Sequence, residues 1–423
     1  MTKKDEAKRN AELTKKDEVI RKAEMTKRDR DKSDDAKTRK IMTHKKIPLI
    51  MTPGPTRVRE NVRLVRAEET TNPDLDPEFF NFYQKTCQRL ARFLNTENQV
   101  LILSGEGMLG LDAACTSLTE KGDRVLIIDN GIFGEGFYDL AKLYGADPVY
   151  FKSDRQRSVS ASELKDFLEK DSDFKFATIV HCDTPSGVLN NLEEICPLLK
   201  SYGILTVVDA VSSMVGEPVF VDDWKIDICI GASQKGFSAP PGLTFLSVSS
   251  DAWKMMENRK TPIASFYCNL PIWKNYYDDF WFPYTPPISD IYGFRAALEN
   301  VLEEKNIHIR HGEIAKAVRT AVLKGGLTLY LKDDFCSTVT VINAPGGIDG
   351  DDLVQKIRQQ HDILIAGCFG YLKGKVFRIG HMGENARKEA VAMTLKAIQQ
   401  TLENEGFSFK ADMETVFWKT VGR

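Results

Sequence analysis

Two residues with the same kind of setting stand out in this chain. Asp209 closes the apolar run GILTVVDA, and 26 residues later IDICIGASQK runs out into Lys235, followed by the turn-forming GFSAPPG. A lysine that leaves an apolar strand and enters a Gly/Pro-rich loop is held away from water. Desolvation disfavours the ammonium, lowers its pKa and frees the amine as a nucleophile. An acid at the carboxyl end of a neighbouring strand lies where open α/β sheets bind ligands. Such a pair suits a pyridine cofactor, whose ring nitrogen must stay protonated if the ring is to accept electrons. Taken singly, Asp209 is also a candidate helix cap and Lys235 a candidate snorkelling surface lysine.

A third element is GEGMLG, residues 105–110, set between a strand and a helix. Its backbone N–H groups face outward at a helix N-terminus, a ready anion site. The string also satisfies G-x-G-x-x-G, and Asp129 ends the next strand 19 residues after Gly110. A nicotinamide-dependent oxidoreductase is therefore the alternative reading, although it leaves Lys235 and Arg378 without roles. A tight strand-to-helix turn that needs glycine is the plain structural one.

The elements that must position these residues alternate. QVLILS (99–104), DRVLIID (123–129), FATIVHC (176–182), GILTVVDA (203–210) and IDICIGAS (226–233) read as strands, with helical stretches such as MLGLDAACTSL, GFYDLAKLYGA and LEEICPLLKSYG between them. Gly203 reads as a helix C-cap. Near-continuously apolar strands alternating with helices imply a mostly parallel sheet covered on both faces. After about residue 300 the pattern becomes a long helical region (294–323), STVTVINA, a helix at 350–360, DILIAG, KVFRIG and a final helix near 385–404, a smaller α+β domain.

HCDTPSGVLNN, VVDAVSS, GASQKGFSAPPG, FPYTPPIS and KVFRIGHMG resemble the corresponding blocks of class V aminotransferases, over about residues 48–405. The resemblance is to the alanine–glyoxylate/serine–pyruvate group and its relative, pyridoxamine–pyruvate transaminase. It implies an α/β fold of type I, with a mostly parallel seven-stranded sheet in a large cofactor-binding domain (49–300) and a smaller C-terminal domain (301–423). It further implies a cytoplasmic homodimer with shared active sites, pyridoxal 5'-phosphate as cofactor, and small amino acid and 2-oxo acid substrates. By the resemblance Lys235 forms the Schiff base and moves the proton, and Asp209 pairs with the ring nitrogen. Phe133 stacks on the ring, and Thr184 bonds near its hydroxyl. Gly105, Glu106, Gly107, Met108, Gln234 and the partner's Thr285 approach the phosphate. Arg378 and Gly54 serve the substrate.

One residue departs from the pattern. Where alanine–glyoxylate enzymes offer small hydroxyl groups to the phosphate, this chain has Glu106. A carboxylate beside a phosphate dianion repels it unless it turns away or is protonated. Pyridoxamine–pyruvate transaminase carries a glutamate at the same place and takes unphosphorylated vitamin B6 as substrate, so pyridoxal or pyridoxamine without phosphate is the second expectation. Phe369, however, falls where that enzyme has a second substrate-binding arginine. A B6-binding protein without catalysis is a third reading, and the presence of the expected catalytic residues argues against it.

The remaining features set bounds. The chain has 423 residues, 42% of them apolar, enough for a large core and a satellite domain. No run approaches a bilayer-spanning length, and no secretory apolar segment opens the sequence. Eight cysteines without CxxC spacing argue against a zinc site or a disulfide framework and fit a reducing cytosol. Residues 1–48 carry 17 Lys and Arg against 10 Asp and Glu, a balance of +7 that leaves −9 for the rest. An acidic body gives no reason to expect nucleic acid as a partner. The first 36 residues repeat with a period of 12 and read as a charged, dispensable tail, with Met42 as an alternative start. His181 and His381 read as hydrogen-bonded structural histidines. His308 and His311 with Glu313 read as a solvated helix face rather than a metal site.

Overall fold

The computed structural model describes residues 47–422, and the repeat tail and Met42 lie outside them. The described residues from Leu49 onward form one compact unit. Its centre is a seven-stranded sheet: β1 (Gln99–Ser104), β2 (Arg124–Asp129), β3 (Asp147–Lys152), β4 (Phe176–Val180), β5 (Leu205–Asp209), β6 (Ile228–Ala232) and β7 (Leu243–Val248). The spatial order is β1-β7-β6-β5-β4-β2-β3. β7 runs antiparallel to both its neighbours, and the other pairings are parallel.

Five of these strands are those expected from their apolar runs. β3 and β7 were not read as strands, for different reasons. β3 is an edge strand whose DPVYFK sequence begins with Asp and Pro and is only partly buried. Pro is tolerated there because an edge leaves one row of N–H groups unused. β7, LTFLSV, is buried throughout but follows directly on a Gly/Pro loop with no helix before it.

Helices cover both faces, and two of them set up the site. α1 (Gly107–Leu118) starts at the end of β1, and α2 (Ile132–Leu143) starts just after β2. Gly110 lets α1 lie directly on the sheet, since a Cβ there would meet Ile230 Cγ2 at 2.6 Å. The main hydrophobic cluster packs around this sheet from Val62 to Ile307.

A second cluster joins Met51 to residues 314–417. There Val339–Asn343 pairs antiparallel with Val376–Gly380. The expected long helical region is two helices, Ile288–Glu303 and Ile307–Gly325. A further helix, Met413–Val421, follows the one read as final. Leu49–Ile50 pairs with Ile363–Leu364, and Gly380 donates its N–H to Met51 O at 2.8 Å. The chain therefore leaves the C-terminal cluster at Met51 and reaches the sheet's carboxyl edge within five residues, where Thr56 N–H donates to Gln234 O at 3.0 Å.

Candidate active site

Parallel strands of one sheet end on the same edge, so β5 and β6 deliver Asp209 and Lys235 to one place. Both line a cavity of about 210 Å³, with Gly54, Pro55, Glu106, Gly107, Met108, Leu111, Phe133, Val211, Ser212 and Gln234. Burial lowers the Lys235 pKa to about 8, and the nearby Arg378 guanidinium adds to the effect, while Asp209 opposes it. Burial likewise raises Asp209 to about 6, against the pull of the Val211 N–H and of Lys235. The Lys235 Nζ donates to Pro53 O at 2.7 Å. A Cβ on Gly54 would lie 2.7 Å from Lys235 Cε, and Gly54 has φ +94°, so only glycine suits this position on both counts.

Val211 and Phe133 give the cavity its apolar walls. Phe133 sits in the first turn of α2, and its ring meets Phe369 edge-on at 6.2 Å. Thr184 lies beside Ser212, hydroxyl to hydroxyl. Its carbonyl accepts from Arg378 Nη1 at 3.2 Å, and Arg378 Nε donates to Gly367 O at 2.7 Å. Arg378 is buried, which pushes its pKa down, and its guanidinium carbon stands 5.9 Å from the Phe369 ring centre. Two of its nitrogens are thus pinned to backbone carbonyls, a clamp that fixes the fork's orientation.

At the start of α1 the structure gives the Glu106 side chain a definite direction. Glu106 is the helix N-cap: Oε1 accepts from Met108 N at 3.1 Å, and Oε2 accepts from Gln234 Nε2 at 3.3 Å. The carboxylate therefore points at the helix N-terminus and occupies a donor that an anion would otherwise use. Gln234 Oε1 is buried without a partner among the described residues, on a residue that lines the cavity. The residues would fit a pyridine ring between Asp209, Lys235, Phe133 and Val211, and at the α1 N-terminus the Glu106 carboxylate already holds the Met108 N–H.

Thr285 is exposed and does not line this chain's cavity. Asp129, the acid of the dinucleotide alternative, is buried, with one oxygen held by Arg155 at 3.4 Å and the other accepting from Gly131 N–H at 3.3 Å. His381 is structural, bonded to Thr340 Oγ1 at 2.7 Å and Ser337 O at 3.0 Å. His181 is buried beside Trp224, but its Nδ1 meets no partner among the described residues, contrary to expectation. His311 corrects the solvated-face reading: it is fully buried, bonded to Ile307 O at 2.6 Å and accepting from Gly383 N at 2.8 Å. All eight cysteines are buried and unpaired.

The family model for class V aminotransferases matches residues 66–367. The chain belongs to the class V aminotransferases. An uncharacterised aminotransferase of Methanocaldococcus jannaschii is 35% identical over 86% of this chain and 94% of its own. The pyridoxamine–pyruvate transaminase of Mesorhizobium japonicum is 33% identical over 85% of this chain and 92% of its own. Among solved structures, the ureidoglycine–glyoxylate aminotransferase of Bacillus subtilis superposes with a TM-score of 0.87 at 28% identity, covering 90% of this chain and all of that one. This chain is thus a class V, pyridoxal-phosphate-type aminotransferase of fold type I. Val211 and Ser212 also line the cavity, and the buried Asp183 lies one residue before Thr184. All three lie inside the quoted blocks VVDAVSS and HCDTPSGVLNN, within three residues of Asp209 or Thr184, which was the available signal.

Proposed function

We propose that this aminotransferase moves an amino group between a small amino acid of the alanine or serine type and a 2-oxo acid such as glyoxylate or pyruvate. The observation that carries the reading is the one cavity shared by a buried acid and a lysine whose pKa has fallen to about 8. Lys235 would hold pyridoxal 5'-phosphate, which when bound would supply an electron sink for charge developing at the substrate Cα. Lys235 Nζ is the group that takes and returns the Cα proton, since a pKa near the working pH suits an amine that must do both. Asp209 would keep the ring nitrogen protonated, Phe133 would stack on the ring and Thr184 would bond near its hydroxyl. Arg378 takes the substrate carboxylate with the edge that its backbone clamp leaves free. Gly54 leaves room beside the amine, and Gln234 with the 105–108 backbone and the partner's Thr285 serves the phosphate.

A second reading is favoured by Glu106. A carboxylate already seated on the α1 N-terminus suits a B6 compound without phosphate, used as substrate with pyruvate, the pair named in one relative. A donor–acceptor panel that includes pyridoxamine with pyruvate separates the two. The first expects alanine or serine turnover with bound pyridoxal phosphate, the second pyridoxamine turnover without it.

A homodimer belongs to the same proposal, supported by the exposed Phe266, Tyr267, Phe280 and Trp281 on the segment that leads to Thr285. So does the division near residue 300, supported by the distinctness of the Val62–Ile307 cluster from the one that joins Met51 to residues 314–417, with a small third cluster of Cys182 and residues 336–376 between the two parts. A cytoplasmic setting is supported by eight unpaired cysteines. No helix among the described residues is long and apolar enough to cross a membrane.

A further inference from the structure

Asp183 is fully buried one residue before Thr184, in a two-residue strand paired with Val188–Leu189. Its Oδ1 accepts the Phe133 N–H at 3.0 Å across a 50-residue separation. Its Oδ2 accepts Ser186 Oγ at 2.7 Å and Ser186 N at 3.2 Å. One carboxylate therefore holds two pieces of chain. One is the first turn of α2, which presents Phe133. The other is the 183–186 turn, whose Thr184 carbonyl supports Arg378.

The fit between them is close. Gly131, the N-cap of α2, has an extended backbone (φ −172°) that any residue adopts, yet a Cβ there would overlap the Asp183 carboxylate. Glycine at 131 is required by this contact and not by its conformation. A negative charge against the start of a helix is favourable as well. Burying a carboxylate is otherwise costly, so a position that meets several donors at once is held firmly.

We infer that Asp183 is a positioning residue that sets the Phe133 wall over the cofactor ring and the Arg378 support with a single group, coupling the ring and substrate ends of the pocket. The inference rests on the roles given above to Phe133 and Arg378. It makes cofactor affinity and amino-donor KM respond together to a change that touches neither ligand.

The test uses full-length Asp183→Asn and Gly131→Ala beside wild type and Lys235→Ala. Asparagine keeps the shape but turns an N–H₂ toward the Phe133 or Ser186 donors, and alanine at 131 pushes on an intact carboxylate. Cofactor Kd is read by absorbance titration of apoprotein with pyridoxal phosphate and with pyridoxal, amino-donor KM and kcat by coupled assay, and folding by thermal melting. The expected result is a rise of about tenfold or more in both Kd and donor KM for Asp183→Asn, well below its Tm, with Gly131→Ala moving both in the same direction. A folded Asp183→Asn with both constants within twofold of wild type overturns the inference, as does a change in one constant without the other. Should Asp183→Asn not fold, Gly131→Ala decides by the same criteria. Full activity in Lys235→Ala would instead bring down the reading of the site itself.

Discussion

The Lys235 ammonium donates to the carbonyl oxygen of Pro53 at 2.7 Å, and Pro53 belongs to a segment that starts in the C-terminal hydrophobic cluster. The buried amine beside the central sheet is thus bonded to a segment that comes from a different core. Gly54, next in the chain, lies against the lysine stem. Changes in this loop, 182 residues away in sequence, are expected to reach the Lys235 amine, which makes the loop a sharp place to test the proposed site.

Gly54→Ala places a methyl group against Lys235 Cε and imposes φ +94° on a residue that resists it. The strain costs on the order of 1–3 kcal/mol of stability, and kcat falls by about tenfold or more as the lysine is displaced. Thermal melting and steady-state kinetics check both parts. An unchanged kcat with a lowered Tm would show that the contact does not govern the amine.

Lys235→Ala removes the nucleophile and the proton carrier together. Transamination falls by about 10³-fold or more, and borohydride no longer fixes a B6 compound to the chain. Mass spectrometry of the reduced wild type locates the adduct on the peptide that contains Lys235. An adduct on another lysine would sink the assignment.

The Lys235 pKa of about 8 sets a pH profile. Below it the amine is protonated and unreactive, so apoprotein reacts with pyridoxal faster as pH rises, reaching half its maximum near pH 8. Stopped-flow absorbance between pH 6 and 10 gives the midpoint. Linkage fixes the sign for stability too. A lysine whose folded pKa lies below its unfolded value of 10.5 penalises the fold at low pH, and the penalty is relieved as pH rises from about 8 toward 10.5. Lys235→Met therefore stabilises the apoprotein at pH 7, raising Tm by about 1–3 °C. A midpoint near 10 would mean that Lys235 is solvated.

Glu106→Ala clears the α1 N-terminus at a capping cost of about 1 kcal/mol. Affinity for pyridoxal phosphate rises relative to pyridoxal by about tenfold or more, because a carboxylate no longer competes for the Met108 N–H. Paired titrations give the ratio. If wild type already prefers the phosphorylated form and the ratio does not move, Glu106 turns aside on binding and the second functional reading falls.

Arg378→Lys keeps the charge but loses the planar fork held by Gly367 O and Thr184 O. Amino-donor KM rises by about tenfold to a hundredfold, while Kd for the B6 compound changes little. A KM within twofold of wild type would place the substrate carboxylate elsewhere.

Apolar runs in the amino-acid order were enough to locate five of the seven strands, and with them the strand ends that carry Asp209 and Lys235, because strands buried on both faces are written as continuous apolar segments. Residue type with spacing was likewise enough to point to an amine, an acid and an anion-binding turn as one chemistry. Other features arise only when distant pieces meet. β3 and β7 read poorly because one is a half-exposed edge and the other an antiparallel insertion. His311 is buried because Gly383 closes over it. Nothing near Pro53 in the chain says that its carbonyl will face Lys235. The direction of Glu106 was open in the sequence, since a side chain can cap its own helix or face solvent with equal local sense. The tertiary structure decided it through Gln234, which approaches from a different strand and meets the carboxylate over the helix N-terminus.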